Sequence, residues 1–242
     1  MTRRVVVLAL GALLVAGAAI ALVGLALSGP DNAESDVASA EPEPGPVRPE
    51  VGADGYLDLW EQSRTGTYVA RGIERRWSGA PGDETLLAQV GYHHARAGDR
   101  VLVVVGGDST ITEAGVTRLC QMLDNAGAGL ELYCDQGIPS PSVADERAAL
   151  RAEIDRRYVV VEHPEPGCVE FIGEGPVTAG RFGQSAVVCF DPATGALTRE
   201  EVFQGDRRRE LVIQQVELRP TDLDLDPMVV APLVLAAGAG TG

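Results

Sequence analysis

Four cysteines are the residues whose type and spacing most clearly suggest chemistry: Cys120, Cys134, Cys168 and Cys189. An even number of cysteines in a domain outside the cytoplasm favours disulfides. Three pairings are possible, and we favour Cys120–Cys134 with Cys168–Cys189 because each pair brackets one local unit of structure. A metal site or a redox pair is the alternative, but the sequence has no Cys-x-x-Cys spacing of the kind those sites use.

Catalytic and cofactor-binding motifs are absent from the sequence. There is no Gly-x-Ser-x-Gly, and Gly106-Gly107-Asp108-Ser109 is typical of a turn after a buried strand. Gly173-x-Gly175 is not followed by the glycine and helix that a dinucleotide site needs. We therefore expect no enzyme activity, no catalytic residue and no cofactor.

Two further groups of polar residues have alternative explanations. His93 and His94 could form a proton switch, but neighbours on a strand face opposite ways, which is typical of one buried and one solvated side chain. Asp222, Asp224 and Asp226 would share one face of an extended segment and could bind Ca²⁺. Asp alternating with Leu is equally typical of a half-buried edge strand, so we expect no metal.

The charge of the chain is strongly acidic. It has 35 acidic residues and 20 basic ones, all of them arginine, for a net charge of −15. Every acidic residue follows residue 30. Such a surface repels nucleic acid, so we expect no nucleic-acid partner.

An apolar segment at residues 5–27 contains no charge and no proline. As a helix it would be roughly 34 Å long, enough to cross a bilayer. Arg3 and Arg4 precede it and acidic residues follow it, so the positive-inside rule predicts a single-pass anchor in the cell membrane with the C-terminal domain extracytoplasmic. The alternative is a cleaved signal peptide, for which Ala38-Ser39-Ala40 offers one cleavage pattern.

Composition divides the chain into four parts. Residues 1–30 are the cytoplasmic end and the anchor, and residues 31–55 form a Pro- and Glu-rich linker too polar to fold. Residues 56–220 form a β domain. Residues 221–242 form a C-terminal tail, which we expect to be an edge strand that fades into disorder.

Within the β domain, β-like runs separated by turn residues predict an antiparallel sheet. Alternation along the first strand predicts Tyr68 and Ala70 on one face, with Val69, Arg71 and Ile73 on the other. The helical elements are a short one at residues 56–63 and two between residues 112 and 158. Val116, Leu119, Cys120 and Leu123 have helical spacing, and residues 145–157 form an amphipathic helix that Ser142 or Asp145 could cap. The predicted strands cover residues 66–77, 84–96, 100–106, 158–163, 168–173, 185–190, 197–203 and 209–218.

A family resemblance is visible in two stretches. Residues 66–79, with Gly-Thr-Tyr-Val-Ala and Trp-Ser-Gly, resemble the opening of exported sigma-factor regulators of the RseB and MucB type. Residues 188–200, with the hairpin Phe190-Asp-Pro-Ala-Thr-Gly195 and Arg199, resemble a hairpin that this family shares with the LolA-like lipoprotein carriers. Phe190 stands where the family has Trp, and the four cysteines are additional.

The resemblance implies an α+β fold: a curved antiparallel sheet, or half-open barrel, with helices over an apolar concave face. It also implies a membrane-anchored sensor that binds an apolar lipid or lipoprotein ligand, or a membrane protein partner such as an anti-sigma factor. The alternatives are a lipid or lipoprotein carrier and a structural component of an envelope complex. From the residues alone we expect a smooth aliphatic lining with no charged pocket, and the residues of the apolar ligand face stay unassigned.

Overall fold

The computed structural model describes residues 52–80, 82–125, 129–174 and 180–239. The predicted anchor at residues 5–27 and nearly all of the predicted linker lie outside the described residues. Among the residues that are described, no helix is both long and apolar enough to cross a membrane.

In the described residues, one large, open antiparallel sheet with three α-helices confirms the predicted α+β class. The helices are α1 (Gly52–Thr65), α2 (Val143–Arg157), a 3-10 helix (Asp222–Leu225) and α3 (Pro227–Ala239). The strands are β1 (Tyr68–Ser78), β2 (Thr85–Ala97), β3 (Arg100–Val105), β4 (Asp108–Glu113), β5 (Val116–Asn125), β6 (Gly129–Cys134), β7 (Ile138–Pro139), β8 (Tyr158–Glu162), β9 (Cys168–Gly173), β10 (Ser185–Phe190), β11 (Leu197–Gln204) and β12 (Arg207–Glu217).

The strand order is β6-β5-β4-β3-β2-β1-β12-β11-β10-β9-β8, with β7 paired to β5. The first and last strands along the chain, β1 and β12, therefore meet in the middle of the sheet. Each half is a meander in which neighbours along the chain pair with each other. The pairing of β1 with β12 joins the two halves, so it brings together residues that are far apart in sequence.

Helices α1 and α2 pack against one face of the sheet, which we call the α1 face. Tyr56 and Leu57 of α1 and Ile154 of α2 are buried there against Phe171 and Phe182. Tyr56 meets both phenylalanine rings edge to face, with centroids 4.9 and 5.6 Å away. Aromatic packing therefore holds both helices on this half of the sheet.

The start of α2 follows the capping prediction. The Ser142 hydroxyl accepts a hydrogen bond from the Asp145 N–H at 3.1 Å, which satisfies an amide that the helix leaves unpaired. Arg147 of α2 contacts the carboxylates of Asp58 and Glu61 in α1 at 2.8 and 2.6 Å. Exposed ion pairs of this kind add little to the stability of the fold.

Helix α3 lies on the opposite face, which we call the α3 face. Successive strand residues point to opposite faces. The Tyr68 hydroxyl donates to the Ser63 carbonyl oxygen of α1 at 3.2 Å, whereas Val69 belongs to the buried cluster that contains Val230 and Val234 of α3. The predicted alternation at the start of β1 is confirmed.

The predicted helix around residues 116–123 is wrong, because this segment is strand β5. Val116 pairs with Glu113 across a two-residue turn, Ala114-Gly115, whose φ angles are 50° and 73°. Two successive positive φ angles make the type I′ turn that favours a tight hairpin. Leu119 is exposed and Cys120 is buried. The residues that have helical spacing in the sequence therefore lie on both faces of one strand.

The predicted edge strand in the tail is also wrong, because residues 222–239 form the 3-10 helix and α3. Thr221 and Asp224 form a capping box at the start of the 3-10 helix. The Asp226 Oδ1 accepts the N–H of Met228 at 2.9 Å at the start of α3. The alternating aspartates therefore serve two consecutive helix starts, for which Asp is well suited.

Both predicted disulfides are confirmed. Cys120 faces Cys134 across β5 and β6, and Cys168 faces Cys189 across β9 and β10. In each pair the Cα atoms are 4.0 Å apart. Two disulfides indicate an oxidising compartment, as expected of a domain outside the cytoplasm.

Replacing Cys120 and Cys134 together by alanine is expected to lower the free energy of unfolding by about 3 kcal/mol, because the bridge closes a loop of roughly 15 residues in the unfolded chain. The melting temperature should then fall by about 6–12 °C. Thermal unfolding followed by circular dichroism measures this, with Leu119→Ala on the same strand as the near-neutral control. A double variant that melts with the wild type would contradict the expectation.

Candidate functional site

An apolar cleft with a volume of about 540 Å³ opens on the α3 face, and we call it the α3 cleft. Its walls come from β1, β2, β12, the 3-10 helix and α3. The volume lies within the roughly 300–1,000 Å³ typical of small-molecule sites. The apolar side chains that line it include Ile73, Leu223, Val229, Val230, Leu233 and Val234.

Two glycines let α3 lie directly on β2. A Cβ added at Gly91 would fall inside van der Waals contact of the Val234 carbonyl oxygen and 3.0 Å from the Val234 Cγ1. A Cβ added at Gly238 would lie 3.2 Å from the Val90 Cα. The helix carries no charged residue, and glycine permits this close approach of two backbones.

A polar latch holds the 3-10 helix at one end of the cleft. The Arg71 guanidinium contacts the Asp224 Oδ1 at 2.5 Å and the Glu217 Oε1 at 2.6 Å. The His93 Nε2 lies 2.9 Å from the carbonyl oxygen of the same Asp224. Two side chains of the sheet therefore bind one residue of the segment that leads into α3.

The ionisation of the latch favours its closed form near neutral pH. Burial alone would raise the pKa of Asp224, but hydrogen bonds from the N–H and hydroxyl of Thr221 and from the Arg71 guanidinium hold that pKa below its ordinary value. Burial lowers the pKa of His93, so its imidazole is neutral and can donate to the Asp224 carbonyl oxygen. Asp224 is thus charged and His93 uncharged where the latch is formed.

His94 points the other way, as the alternation predicted, and is half-buried. Its Nδ1 lies 3.4 Å from the Tyr68 hydroxyl, and its buried Nε2 has no hydrogen-bond partner among the described residues. Burial, helped by the nearby charges of Arg96 and Arg64, lowers the pKa of His94 to about 3. The expectation of one buried and one solvated histidine therefore holds for His93, which is buried, and only in part for His94, which is half-buried.

The free energy of unfolding is expected to fall as the pH drops below about 6.5. The unfolded chain takes up a proton at His94 near its ordinary pKa of 6.5, whereas the folded chain resists it down to about 3. The contribution of His94 to the free energy of unfolding is therefore fully present above pH 6.5. Below that pH it is lost at up to about 1.4 kcal/mol per pH unit. Urea unfolding at pH 7 and pH 5 measures the loss, which His94→Leu should reduce. Equal losses in both proteins would contradict this account.

The α1 face carries a buried ion-pair network, so the expectation of a smooth aliphatic lining with no charged pocket is wrong there. The Glu74 side chain is only 5% exposed, and its Oε2 lies 3.5 Å from Arg209. Arg209 also contacts the Glu200 Oε2 at 2.6 Å. These groups and His94 line a cavity of about 280 Å³ beside Trp60. A buried carboxylate requires such partners.

The aspartates considered for Ca²⁺ are each engaged elsewhere. Asp222 contacts Arg100 at 2.9 Å, Asp224 holds Arg71, and Asp226 caps α3. Their side chains therefore serve three separate contacts and do not converge on one point.

One group of metal-type ligands does converge among the described residues. Ligand atoms of His163, Glu165 and Cys168 lie within 4.8 Å of one another. The Cys168 sulfur is bonded to Cys189, and the His163 Nδ1 accepts the N–H of Glu165 at 3.2 Å. A disulfide sulfur is not a thiolate ligand, and the Glu165 carboxylate lies 3.6 Å from Arg199, so this group does not suit a metal.

No protein-family model matches this sequence, and no curated protein matches it. Among solved structures, a domain ascribed to outer membrane lipoprotein sorting from Vibrio parahaemolyticus is 10% identical, covers 74% of this chain and 98% of its own, and has a TM-score of 0.31. A LolA superfamily protein from Nitrosomonas europaea is 12% identical, with coverages of 71% and 95% and a TM-score of 0.27.

A DUF1329 family protein from Desulfovibrio piger is 8% identical, with coverages of 72% and 95% and a TM-score of 0.27. The similarity to these structures is distant. At such TM-scores it carries no argument about function, which rests on the side chains described above.

The pairing of the four cysteines could be predicted from the sequence, but the α3 cleft was not predicted. None of the four cysteines lines this cleft. The dipeptide Asp226-Pro227 indicates the start of α3, because Pro is favoured at the first position of a helix and Asp just before it. The sequence prediction of an edge strand at residues 221–242 therefore gave no indication of the ion pair between Arg71 and Asp224.

Proposed function

We propose that this domain binds an apolar chain of a lipid or lipoprotein in the α3 cleft and performs no covalent chemistry. The observation that carries the proposal is the cleft itself, a cavity of about 540 Å³ with largely aliphatic walls and a few polar groups at one end. Apolar walls with few, well-placed polar groups are typical of ligand sites.

Helix α3 is the natural lid of this site. Its side chains Met228, Leu233 and Leu235 are exposed although they are apolar. An apolar chain that enters the cleft would cover part of this surface, and burial of apolar area is the driving force for such binding. The latch formed by Arg71, His93 and Asp224 would open or close with the lid.

The regulatory part of the proposal is that a membrane protein partner, such as an anti-sigma factor, senses the position of α3. The predicted anchor at residues 5–27 supports a tethered sensor on the outer side of the membrane. The resemblance of residues 66–79 to the RseB and MucB regulators points the same way. A lipid or lipoprotein carrier is the second candidate, and the same cleft would serve it, but a carrier has to leave the membrane to deliver its cargo.

The test is lipid analysis by mass spectrometry of the full chain purified from its membrane. We expect the wild type to retain an acyl lipid and Ile73→Asp, which places a charge in the cleft, to lose at least about four fifths of it. Ile138→Asp is the matched control, because Ile138 is exposed on β7, outside the cleft. Equal lipid in all three proteins would overturn the proposal.

A further inference from the structure

Arginines are crowded where the β1–β2 and β11–β12 hairpins lie side by side. Strand β12 begins with Arg207, Arg208 and Arg209, which pair with Ser78, Trp77 and Arg76 of β1. Arg76 and Arg209 are therefore directly opposite each other, an arrangement in which like charges destabilise a sheet. A chain with a net charge of −15 thus concentrates positive charge at one place.

Neighbouring carboxylates offset only part of the repulsion between these guanidinium groups. The Glu74 Oε1 lies 2.5 Å from Arg76 and its Oε2 lies 3.5 Å from Arg209. Arg208 lies 3.4 Å from both Glu84 and Glu201 and stacks over the Trp77 ring at 4.1 Å. These contacts orient the guanidinium groups.

A cavity of about 430 Å³, which we call the arginine pocket, lies at this point. No acidic side chain is among the residues that line it. Arg181 and Arg207 also have no ion pair with any carboxylate in the described part of the chain. The pocket is lined by Arg76, Trp77, Leu87, Arg181, Val202, Gln204, Arg207, Arg208 and Arg209.

We infer that the arginine pocket binds a phosphate ester. Guanidinium groups match phosphate oxygens with two parallel hydrogen bonds, which makes arginine the preferred residue for this anion. Arg181 and Arg207 would supply the unneutralised charge, and Trp77 and Leu87 would contact the organic part of the ester. The phosphate could belong to a free small molecule or to a lipid headgroup, because both offer the same group.

This site is separate from the α3 cleft, so the inference does not rest on the proposed function. The two sites share no lining residue. An empty cleft would leave the arginine pocket intact.

The experiment is isothermal titration calorimetry of the full chain in detergent micelles with glycerol phosphate, a water-soluble phosphate ester, as the free probe. Water-soluble dihexanoyl phosphatidic acid is the lipid probe, and dihexanoyl phosphatidylcholine is its zwitterionic control. We expect saturable binding of at least one phosphate probe, and preference for the phosphatidic acid would identify a headgroup as the source. Arg181→Gln/Arg207→Gln should weaken that binding by about tenfold or more.

Arg156→Gln/Arg219→Gln is the matched control, because it removes the same charge from two exposed arginines outside the pocket. We expect it to change the affinity by less than about twofold, since distant surface charges are screened by salt. Binding weakened equally by both double variants would show non-specific attraction and overturn the inference. Absence of saturable binding of either phosphate probe would overturn it too.

Discussion

Gly91→Ala is expected to lift α3 from the sheet. The added methyl group would meet the backbone carbonyl of Val234, which cannot move aside without moving the helix. Overpacking of this kind commonly costs about 1–3 kcal/mol. Because α3 packs on one face of the sheet and follows all the described strands, we expect it to detach while the sheet stays folded.

Hydrogen exchange of the α3 amides measures this detachment, and we expect exchange at residues 230–238 to be at least about tenfold faster than in the wild type. The matched control is Gly107→Ala, where the nearest atom to an added Cβ is the Leu235 Cδ2 at an ordinary 3.7 Å. If α3 in Gly91→Ala stays as protected as in the control, the close packing of the helix on β2 is contradicted.

Phe171→Ala is expected to destabilise the whole domain by about 3–5 kcal/mol. Phe171 is fully buried, stacks on Phe182 with ring centroids 3.8 Å apart, and meets Tyr56 edge to face. Removing its ring leaves a cavity at the point where α1 and the sheet meet. The melting temperature should fall by roughly 6–20 °C.

Thermal unfolding of Ile172→Ala provides the control for that variant. Ile172 is the next residue on β9, is 44% exposed and faces the other way. We expect a change of less than about 1 kcal/mol there. Similar losses at both positions would mean that Phe171 does not anchor the packing of α1 on the sheet.

The regular part of the fold could be predicted because its local signals agree with one another. β1 to β3 and β8 to β12 are rich in β-branched and other apolar residues and lie between clear turns, and α2 has a capping serine and buries Leu150 and Ile154 one turn apart. The turn after Phe190 illustrates this. The Asp191 Oδ1 accepts the N–H groups of Ala193 and Thr194 at 2.7 and 3.1 Å, and Gly195 has a φ of 71°.

The two elements that were predicted wrongly, β5 and α3, lie where the local sequence signals conflict. The hairpin of β4 and β5 contains a Glu-Ala-Gly turn and leucines that also suit a helix, and only the pairing across Ala114-Gly115 decides for strands. Helix α3 is apolar on every side, so it has no amphipathic period by which a sequence reveals a helix. Its tertiary packing on Gly91 decides its structure.

Neither candidate site could be predicted, because each depends on long-range pairing. Arg76 and Arg209 meet only through the contact of the first strand with the last. Arg71 and Asp224 meet only after residues 222–239 fold back over β2. A single sequence contains the residue types but not the register that brings them together.

Photo-crosslinking reports whether an apolar chain occupies the α3 cleft. The full chain in detergent micelles would be irradiated with a diazirine-bearing fatty acid, and the modified residues mapped by peptide mass spectrometry. We predict adducts in the segments that contain Ile73 and residues 229–234. Adducts found on the predicted anchor at residues 5–27 but not on either of those segments would contradict it.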